Sequence, residues 1–441
     1  MISARQVANA LNINIIESPY MSVKIQGWLD MYTGNSDWND KRIESIGLPA
    51  AISAEISQLT MCEADIKINN SYCHEQFKKL IATIGDTVEI AAALGGVLLK
   101  PYALGDEILT ETVYPMSFFP VSYNHNGFTS VICHQQINRG RDCFTRLEYH
   151  EYDTKNQKYL IKNQCYRSQS IDDLGTRCRL TDVPDWAELK EEKILENVEK
   201  PLFAYLKMPF LNNVDLNSPL GVSVYSKFVN LIKQADEQWE RILWEYESSE
   251  RAIDASEDLF IKENDIIKFP KGRERLFRLY EPRIDGSAMI DMFSPAIRDT
   301  SMFNGLNKIL QRIEFNCGLA YGTISDVSNV EKTAEEIKTS KQRSYTQVAS
   351  IQKNLKTTLE HLAYIYSYYG RYYGLMTGDA EMTCTFGDSV LEDSEKEFQR
   401  HLQMVSAGLL SKEKFVAWYF GCSEDEAKTY IPETTELFGG V

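Results

Sequence analysis

The residues of this sequence that could do chemistry are acidic pairs, histidines and cysteines, and none stands in a recognisable catalytic pattern. Asp172 and Asp173 are adjacent, and Asp254 precedes Glu257 and Asp258. Paired carboxylates of this kind can bind Mg²⁺ or share a proton. Neither group has a second acidic or histidine cluster at motif spacing, which favours solvated surface charge. The sequence therefore predicts no catalytic constellation.

Cysteines and histidines also lack the spacing of metal ligands. The nine cysteines are scattered at wide intervals, which predicts reduced and mostly buried thiols rather than a disulfide framework. Two Cys-His neighbours, Cys73-His74 and Cys133-His134, occur without any C-x-x-C or H-x-x-x-H spacing, so we predict no zinc site. His361, in a long predicted helix, is interpreted as a surface or packing residue.

Phosphate-binding and nucleophile motifs are absent from the sequence as well. No glycine is followed by lysine, and neither G-x-G-x-x-G nor G-x-S-x-G occurs. Nucleotide-binding, dinucleotide-binding and serine-hydrolase functions therefore lose their usual signatures. We predict a protein that is not an enzyme and that uses no cofactor.

The balance of charge argues against a protein that grips nucleic acid. The 441 residues contain 47 Lys and Arg against 63 Asp and Glu, a net charge of −16, whereas strong binding to the phosphate backbone needs positive charge. Residues 332–356 reverse this sign, with two acidic residues and six basic ones: Lys332, Lys338, Lys341, Arg343, Lys353 and Lys356. They are interpreted either as a polyanion contact or as a solvated helix face.

Targeting and membrane signals are not apparent. The longest apolar run, residues 90–99, has about half the ~20 residues that a membrane span needs. The first residues lack a sustained apolar stretch and a cleavage site, which predicts a protein that stays in a cytosol.

Hydrophobic periodicity predicts mixed α and β structure in the first half of the chain. The first ~40 residues show no clear period and suggest a loosely built arm. Helices are predicted from Pro49 to Met61 and from Thr87 to Leu94, and residues 168–213 read as connecting structure. Between these lies an antiparallel meander of six predicted strands at 97–102, 108–114, 118–123, 128–136, 142–152 and 158–166.

The second half predicts long helices around a small β insertion. Ser218-Pro219 would cap a helix of about 30 residues, roughly 45 Å long, and Ser294-Pro295 would cap a second helix that ends at Cys317. A loop follows at 318–332, and Thr333 with Glu336 forms a capping box into a third helix of about 40 residues, roughly 60 Å long. Shorter helices capped by Asp393 and Ser423 would close the chain.

This order of elements resembles the portal proteins of tailed bacteriophages, in the subgroup common in phages and prophages of Gram-positive bacteria. The resemblance extends over most of the chain, and the N-terminal arm and the last ~50 residues match only in character. The segments that carry it are TRLEYHEYD (145–153), NSPLGVSVYSKFVNLIKQADEQWERILWEYE (217–247), AIDASEDLF (252–260), MFSPAIRDTSMFNGLNKILQRIEFNCGLAYGTISD (292–326) and VEKTAEEIKTSKQRSY (330–345).

The resemblance implies an α+β portal fold, assembled as a ring with a central channel. Its implied parts are a wing (1–216), stem helix 1 (217–251), a clip (252–292), stem helix 2 (293–317), a tunnel loop (318–332), a long helix returning to the wing (333–387) and a helical crown (388–441).

It also implies the function and its residues. Portals of this kind form a dodecameric channel at one capsid vertex, through which the terminase motor packages double-stranded DNA that is later ejected; they join head to tail and nucleate procapsid assembly. The residues implied to face DNA are Thr323, Ser325, Asp326, Val327, Ser328, Asn329 and Lys332, with Lys338 and Lys341 as nearby basic groups. Lys271, Arg273 and Arg275 of the clip would contact terminase or adaptor.

The implied partners are further copies of the chain, DNA in transit, the large terminase subunit, a head-completion adaptor, and the major capsid and scaffolding proteins, with no membrane. The protein would be located at the portal vertex of the virion, and in the host cytoplasm during assembly. Two alternatives remain open at this point: another phage structural ring, from a tail or baseplate, and a metal-dependent nuclease that uses the scattered carboxylates.

Overall fold

The computed structural model describes residues 2–16, 18–256, 262–263, 266–267, 276–280, 290–326, 334–387, 394–420 and 424–431. The chain divides into two units, residues 1–384 and 385–441. The first is mixed α and β, as the sequence predicts, and the described helices of the second are short. Within the described ranges, none of the helices combines the length and the apolar character that crossing a bilayer requires.

The first unit contains a helical beginning, a long run of strands, and later helices that flank a second group of strands. Its described helices are α1 (Ala4–Leu11), α2 (Pro19–Tyr32), α3 (Leu48–Met61), α4 (Ser71–Leu94), α5 (Val229–Ser248), α6 (Asp299–Cys317) and α7 (Ala334–Tyr372). Its strands before α5 are β1 (Asp65–Ile68), β2 (Gly96–Leu104), β3 (Glu107–Val113), β4 (Phe118–Asn124), β5 (Gly127–Arg139), β6 (Asp142–Asp153), β7 (Lys158–Ser168), β8 (Thr176–Cys178), β9 (Glu192–Leu195) and β10 (Ala204–Lys207). The later strands are β11 (Ala252–Ser256), β12 (Lys262–Glu263), β13 (Ile266–Ile267), β14 (Phe277–Tyr280), β15 (Ile290–Phe293) and β16 (Met382–Thr385).

The beginning of the chain is helical, so the prediction of a loosely built arm is wrong. A capping box formed by Ser3 and Gln6 starts α1, and Ser18 accepts a hydrogen bond from the backbone of α2. Trp28 of α2 is only 2% exposed. The exposed Tyr20 and Val23 on the same helix blur its apolar stripe in the sequence, which explains why the period was not visible.

The next two helices follow the sequence to different degrees. The prediction for α3 is confirmed at its end, Met61, and the helix begins one residue before the predicted Pro49. Helix α4 begins 16 residues earlier than the predicted Thr87, at Ser71, after Asn70 caps it by accepting a hydrogen bond from the Cys73 amide at 3.2 Å. Its first half is amphipathic rather than continuously apolar, and Phe77 is fully buried.

All six predicted strands of the meander are confirmed, but they form two sheets. The order is β10-β2-β3 in one sheet and β4-β5-β6-β7-β8 in the other, and β9 also pairs with β7. A 3₁₀ turn at Pro115–Ser117 separates β3 from β4. Strands β8, β9 and β10 come from the segment that was predicted to be connecting structure, because their short pairings leave no period in the sequence.

A buried group of charged side chains links the two sheets. Lys100 of β2 contacts Glu148 of β6 and lies 3.0 Å from Glu111 of β3, while Arg146 lies 3.1 Å from Glu148. Although burial by itself lowers the pKa of Lys100, attraction to Glu148 and Glu111 raises it above its ordinary value. Burial opposes ionisation of Glu148 too, but Lys100 and His150 hold its pKa well below the ordinary range. The group therefore stays ionised and internally paired at neutral pH.

The segment before α5 is packed against the first unit, so the predicted helix start at Ser218-Pro219 is wrong. Val222 and Tyr225 are fully buried, and the Tyr225 hydroxyl donates to the carbonyl of Trp28 at 3.0 Å. Helix α5 starts only at Val229 and has 20 residues, about 30 Å. Burial of these side chains outweighs the local capping signal.

A small β insertion between two helices is confirmed, but α6 also starts later than predicted. Strand β11 lies in the middle of a three-stranded sheet, parallel to β14 and antiparallel to β15. Helix α6 begins at Asp299, five residues after Ser294, because the backbone N–H of Arg298 donates to the carboxylate of Glu245 at 3.2 Å and Arg298 takes the N-cap position.

The longest helix, α7, has 39 residues, about 58 Å, as the sequence predicts. Its predicted cap at Thr333 lies outside the described residues. Tyrosines near the end of α7 contact other elements of the chain: the Tyr366 hydroxyl lies 2.8 Å from that of Thr110, and the Tyr368 hydroxyl donates to the carbonyl of Glu196 at 2.8 Å. His361 is a packing residue whose Nε2–H donates to the carbonyl of Pro201 at 2.8 Å.

Acid should weaken the first unit through two neutral histidines. Burial lowers the pKa of His134 and of His361 to about 4. The unfolded chain then binds protons first as the pH falls, so their contribution to stability is complete above pH ~6.5 and is lost towards pH ~4, at up to about 1.4 kcal/mol per pH unit for each histidine. Urea titrations between pH 7.5 and 4.5 should show this slope. His361→Gln, which keeps a donor for Pro201, should have a shallower slope, and an unchanged slope would contradict the assignment.

The second unit contains α8 (Ser394–Ser406), α9 (Lys412–Phe420) and α10 (Glu424–Tyr430). Aromatic contacts join α8 to α9, with ring centroids 5.4 Å apart for Phe398 and Phe415 and 4.1 Å apart for His401 and Trp418. The predicted caps Asp393 and Ser423 lie outside the described residues.

Candidate functional site

Helices α5 and α6 form an antiparallel pair. Gln238 donates to the carbonyl of Met302 at 3.3 Å, and further along the pair the Arg298 guanidinium donates to both carboxylate oxygens of Glu245, at 3.1 and 2.7 Å. These hydrogen bonds lower the pKa of Glu245, whose side chain is only 7% exposed. A bidentate pair of this kind fixes the position of the end of α5 relative to the start of α6, next to the β insertion that connects the two helices.

At the other end of α6, a buried carboxylate organises the following loop. The helix ends at Gly318, which has a φ of +71° and leaves no room for a Cβ beside Gln347. Glu314, which is fully buried, accepts hydrogen bonds through Oε1 from the amides of Gly322, Ile324 and Ser325 at 3.1, 2.8 and 2.9 Å. Its Oε2 accepts a fourth from the Ser325 hydroxyl at 2.8 Å. Residues 318–326 are thus wrapped around one side chain of the preceding helix.

Three of the predicted loop residues fall in this wrapped segment. The Thr323 hydroxyl donates to the carbonyl of Ala320 at 2.7 Å, and Ser325 is buried against Glu314. Asp326 is exposed, and its backbone is held by Asn307 of α6 through hydrogen bonds of 2.8 and 3.0 Å. The structure therefore places Thr323 and Ser325 in the base of the loop, with both hydroxyls used inside the chain, and Asp326 directly after that base.

The remaining predicted site residues, or their side chains, lie outside the part of the chain that the structure describes. Val327, Ser328, Asn329 and Lys332 lie outside the described residues, and so do the clip residues Lys271, Arg273 and Arg275. Lys338 and Lys341 lie on the first turns of α7, with side chains outside the description.

The start of α7 is tied back to the end of α6. Arg343 lies over the ring of Phe315, with its guanidinium carbon 3.8 Å from the ring centroid, and Gln347 donates to the carbonyl of Cys317. A guanidinium in this position gains cation–π attraction and keeps its charge near the loop. One face of the basic region found in the sequence is therefore placed next to the base of the loop.

Sequence reasoning did not find Glu314, Asn307 or Gln347. Each is a polar residue at an ordinary helix position, and nothing in its spacing distinguishes it from a solvated side chain. Glu314 does stand one turn before the helix-ending Gly318, but that signal alone predicts a cap and not a buried carboxylate.

The arrangement can hold a loop in place, but it offers no bond chemistry. In the described part of the chain, no group of three or more His, Cys, Asp or Glu side chains could hold a metal ion. Asp173 accepts a hydrogen bond from Gln6 at 3.1 Å, and Asp254 lies 3.4 Å from the guanidinium of Arg278. An amide or a guanidinium as partner is ordinary for a carboxylate at the protein surface, and it does not indicate a catalytic role.

The sequence model of the family described as "Phage portal protein, SPP1 Gp6-like" matches residues 63–436. No curated protein matches the chain. Two solved structures with a similar backbone come from the neck of a GTA particle, one native with C12 symmetry and one empty with C6 symmetry. The first is 12% identical and covers 95% of this chain and 98% of that chain, with a TM-score of 0.47. The second is 10% identical with the same coverage and a TM-score of 0.45.

Proposed function

Because this chain belongs to the SPP1 Gp6-like family of phage portal proteins, we propose that twelve copies form the channel at one capsid vertex through which double-stranded DNA is packaged by the terminase motor and later ejected. The family consists of structural, non-enzymatic virion proteins. Membership of this family therefore favours the portal function over both alternatives that the sequence left open, the tail or baseplate ring and the nuclease that uses Asp172 and Asp173.

The observation that carries the proposal, beyond the family, is the loop wrapped around Glu314. A loop that meets moving DNA needs a base that does not move with it, and four hydrogen bonds to one buried carboxylate supply such a base. In this proposal residues 318–325 anchor the tunnel loop, while Asp326, Val327, Ser328, Asn329 and Lys332 face the DNA. Thr323 and Ser325 belong to the base, since their hydroxyls have partners inside the chain.

Apolar side chains exposed on α5 and α6 support self-assembly. They are Leu243, Trp244, Tyr246, Phe303 and Phe315, each between 41% and 58% exposed. Apolar surface of this kind usually marks a contact with another protein, and in a ring the neighbouring copy would cover it.

The net charge fits a channel through which DNA slides. A wall that neutralised many phosphates would bind the duplex, whereas the excess of acidic side chains in a chain of net charge −16 would repel it. Lys338, Lys341 and Arg343, close to the loop, would be the local exception.

The other partners follow from the family resemblance. Lys271, Arg273 and Arg275 of the clip would contact the terminase large subunit and later the head-completion adaptor. The wing and the crown would meet the major capsid and scaffolding proteins, and the ring would nucleate the procapsid. Assembly would take place in the host cytoplasm, before the ring becomes part of the virion.

Electron microscopy of the purified chain tests the assembly. Negative-stain class averages should show rings with twelve-fold symmetry and a bore wide enough for a DNA duplex. A stable monomer at micromolar concentration, or a ring with a closed centre, would contradict the proposal.

Deleting residues 326–329 tests the loop. The variant should still form rings, because its base of hydrogen bonds to Glu314 is left in place, but DNA packaging or retention should be impaired in induced phage. Replacing the exposed β6–β7 turn, residues 154–157, with glycine and serine is the matched control and should package normally. Normal packaging by the deletion variant would refute the role of the loop.

A further inference from the structure

Two cysteines face each other across neighbouring strands of the larger sheet. Cys165 of β7 and Cys178 of β8 are directly paired in the antiparallel register, and their Sγ atoms lie 3.1 Å apart. Directly opposed residues of an antiparallel pair have Cα atoms about 4.5–5.5 Å apart, which lies inside the range that a disulfide spans. A bond needs the two sulfur atoms to approach by only about 1 Å, to the usual ~2.05 Å.

The two thiols differ in their access to solvent. Cys165 is 1% exposed and lies in an apolar cluster with Phe144, Leu180 and Trp186. Burial, together with the hydrogen bond from Cys178, raises the pKa of the Cys165 thiol to about 12. Cys178 is only partly buried, so a small oxidant can reach it.

We propose that Cys165 and Cys178 are a modification site, at which a peroxide forms a reversible disulfide. In the first step the sulfur of Cys178 attacks hydrogen peroxide, the O–O bond breaks, and a sulfenic acid and one water form. In the second step the sulfur of Cys165 attacks Sγ of Cys178, the S–O bond breaks, and the hydroxyl leaves as a second water with the Cys165 proton. Two thiols are oxidised by two electrons, and one peroxide is reduced.

The bond would act on the edge of the sheet. Strand β8 has three residues and pairs with β7 at three positions. It continues into the 3₁₀ turns Leu180–Asp182 and Pro184–Trp186, whose side chains cover the apolar cluster. A cross-link at Cys178 would hold this edge to the sheet. Reductants inside the cell would keep both thiols reduced, whereas oxidants outside the cell would favour the disulfide. The redox state of the pair would therefore differ between the two environments. The proposal is independent of the portal function.

Peptide mapping of the full-length chain tests the site. The native protein is treated with hydrogen peroxide, alkylated, digested without reduction and examined by mass spectrometry. A cross-linked pair of peptides holding Cys165 and Cys178 should appear, two hydrogens lighter than the sum of the free peptides, and dithiothreitol should remove it. Oxidation of Cys62, which is exposed, serves as the internal control that the peroxide has reacted with accessible thiols.

Two variants separate the outcomes. Cys178→Ser should abolish the cross-link, whereas Cys143→Ser, on the neighbouring strand β6, should retain it. In the wild type, oxidation should slow hydrogen exchange of residues 176–187 by about tenfold, because a cross-link reduces opening of the edge. The proposal is overturned if Cys62 is oxidised while Cys165 and Cys178 are both recovered alkylated, or if Cys178 proceeds to sulfinic acid without the cross-link.

Discussion

Replacing Lys100 with methionine should lower the free energy of unfolding by about 3 kcal/mol, because it leaves Glu148 as a buried charge with incomplete compensation. Lys100 is 6% exposed and Glu148 is 13% exposed. Arg146 remains 3.1 Å from Glu148, which places the expected loss at the lower end of the range of about 3–5 kcal/mol for a broken buried pair. Urea titration followed by tryptophan fluorescence measures the effect.

The matched control for this experiment is Lys79→Met. Lys79 makes an ion pair with Glu107 at 2.7 Å, but both side chains are about half exposed, so the expected loss is below about 1 kcal/mol. The double variant Lys100→Met, Glu148→Gln should recover part of the loss, since it removes the uncompensated charge. A loss in Lys100→Met no greater than that in Lys79→Met would contradict the buried pairing.

Replacing Glu314 with alanine should release the loop base without unfolding the chain. The change removes the acceptor of three amides and one hydroxyl, and each unmet buried group costs about 1–3 kcal/mol, part of which the loop regains by exposing these groups to water. We expect hydrogen exchange in residues 318–326 to become roughly a hundredfold faster, while the global urea midpoint changes little. Glu314→Gln keeps one oxygen but loses the charge, so its effect should be smaller.

The control for the loop experiment is Glu247→Ala, which removes an exposed carboxylate on α5. This variant should leave exchange in residues 318–326 unchanged. If alanine at 314 also leaves it unchanged, the carboxylate does not hold the loop. If rings of Glu314→Ala assemble but package DNA poorly, the loop base takes part in the proposed function.

The extent to which sequence predicted the fold depended on how local the signal was. Helix α3, the six strands of the meander and the length of α7 were predicted because each has a period that its own residues display. The predicted starts of α5 and α6 were wrong. Ser218-Pro219 and Ser294-Pro295 have the sequence of helix caps, but the residues that follow them make contacts outside the helix. Val222, Tyr225 and Arg298 make those contacts.

The break in helix between α6 and α7 was predicted from the sequence, but the residues that hold the following segment in place were not. A loop after Cys317 was predicted because glycine and serine interrupt the apolar period there, and the described part of it, residues 318–326, is not helical. The residues that build its base, Glu314 and Asn307, carry no sequence signal of burial. A carboxylate on a helix is nearly always solvated, and only the return of the chain over α6 encloses this one.

By itself, the sequence determined the family, the absence of catalytic and nucleotide-binding motifs, and the elements whose apolar residues repeat at a regular period. Only the tertiary structure decided which charged side chains are buried, where the helices around the β insertion begin, and that Cys165 faces Cys178. The physical reason is that periodicity reports a preference of neighbouring residues, whereas burial of a polar group depends on partners that are distant in the chain and adjacent only after folding.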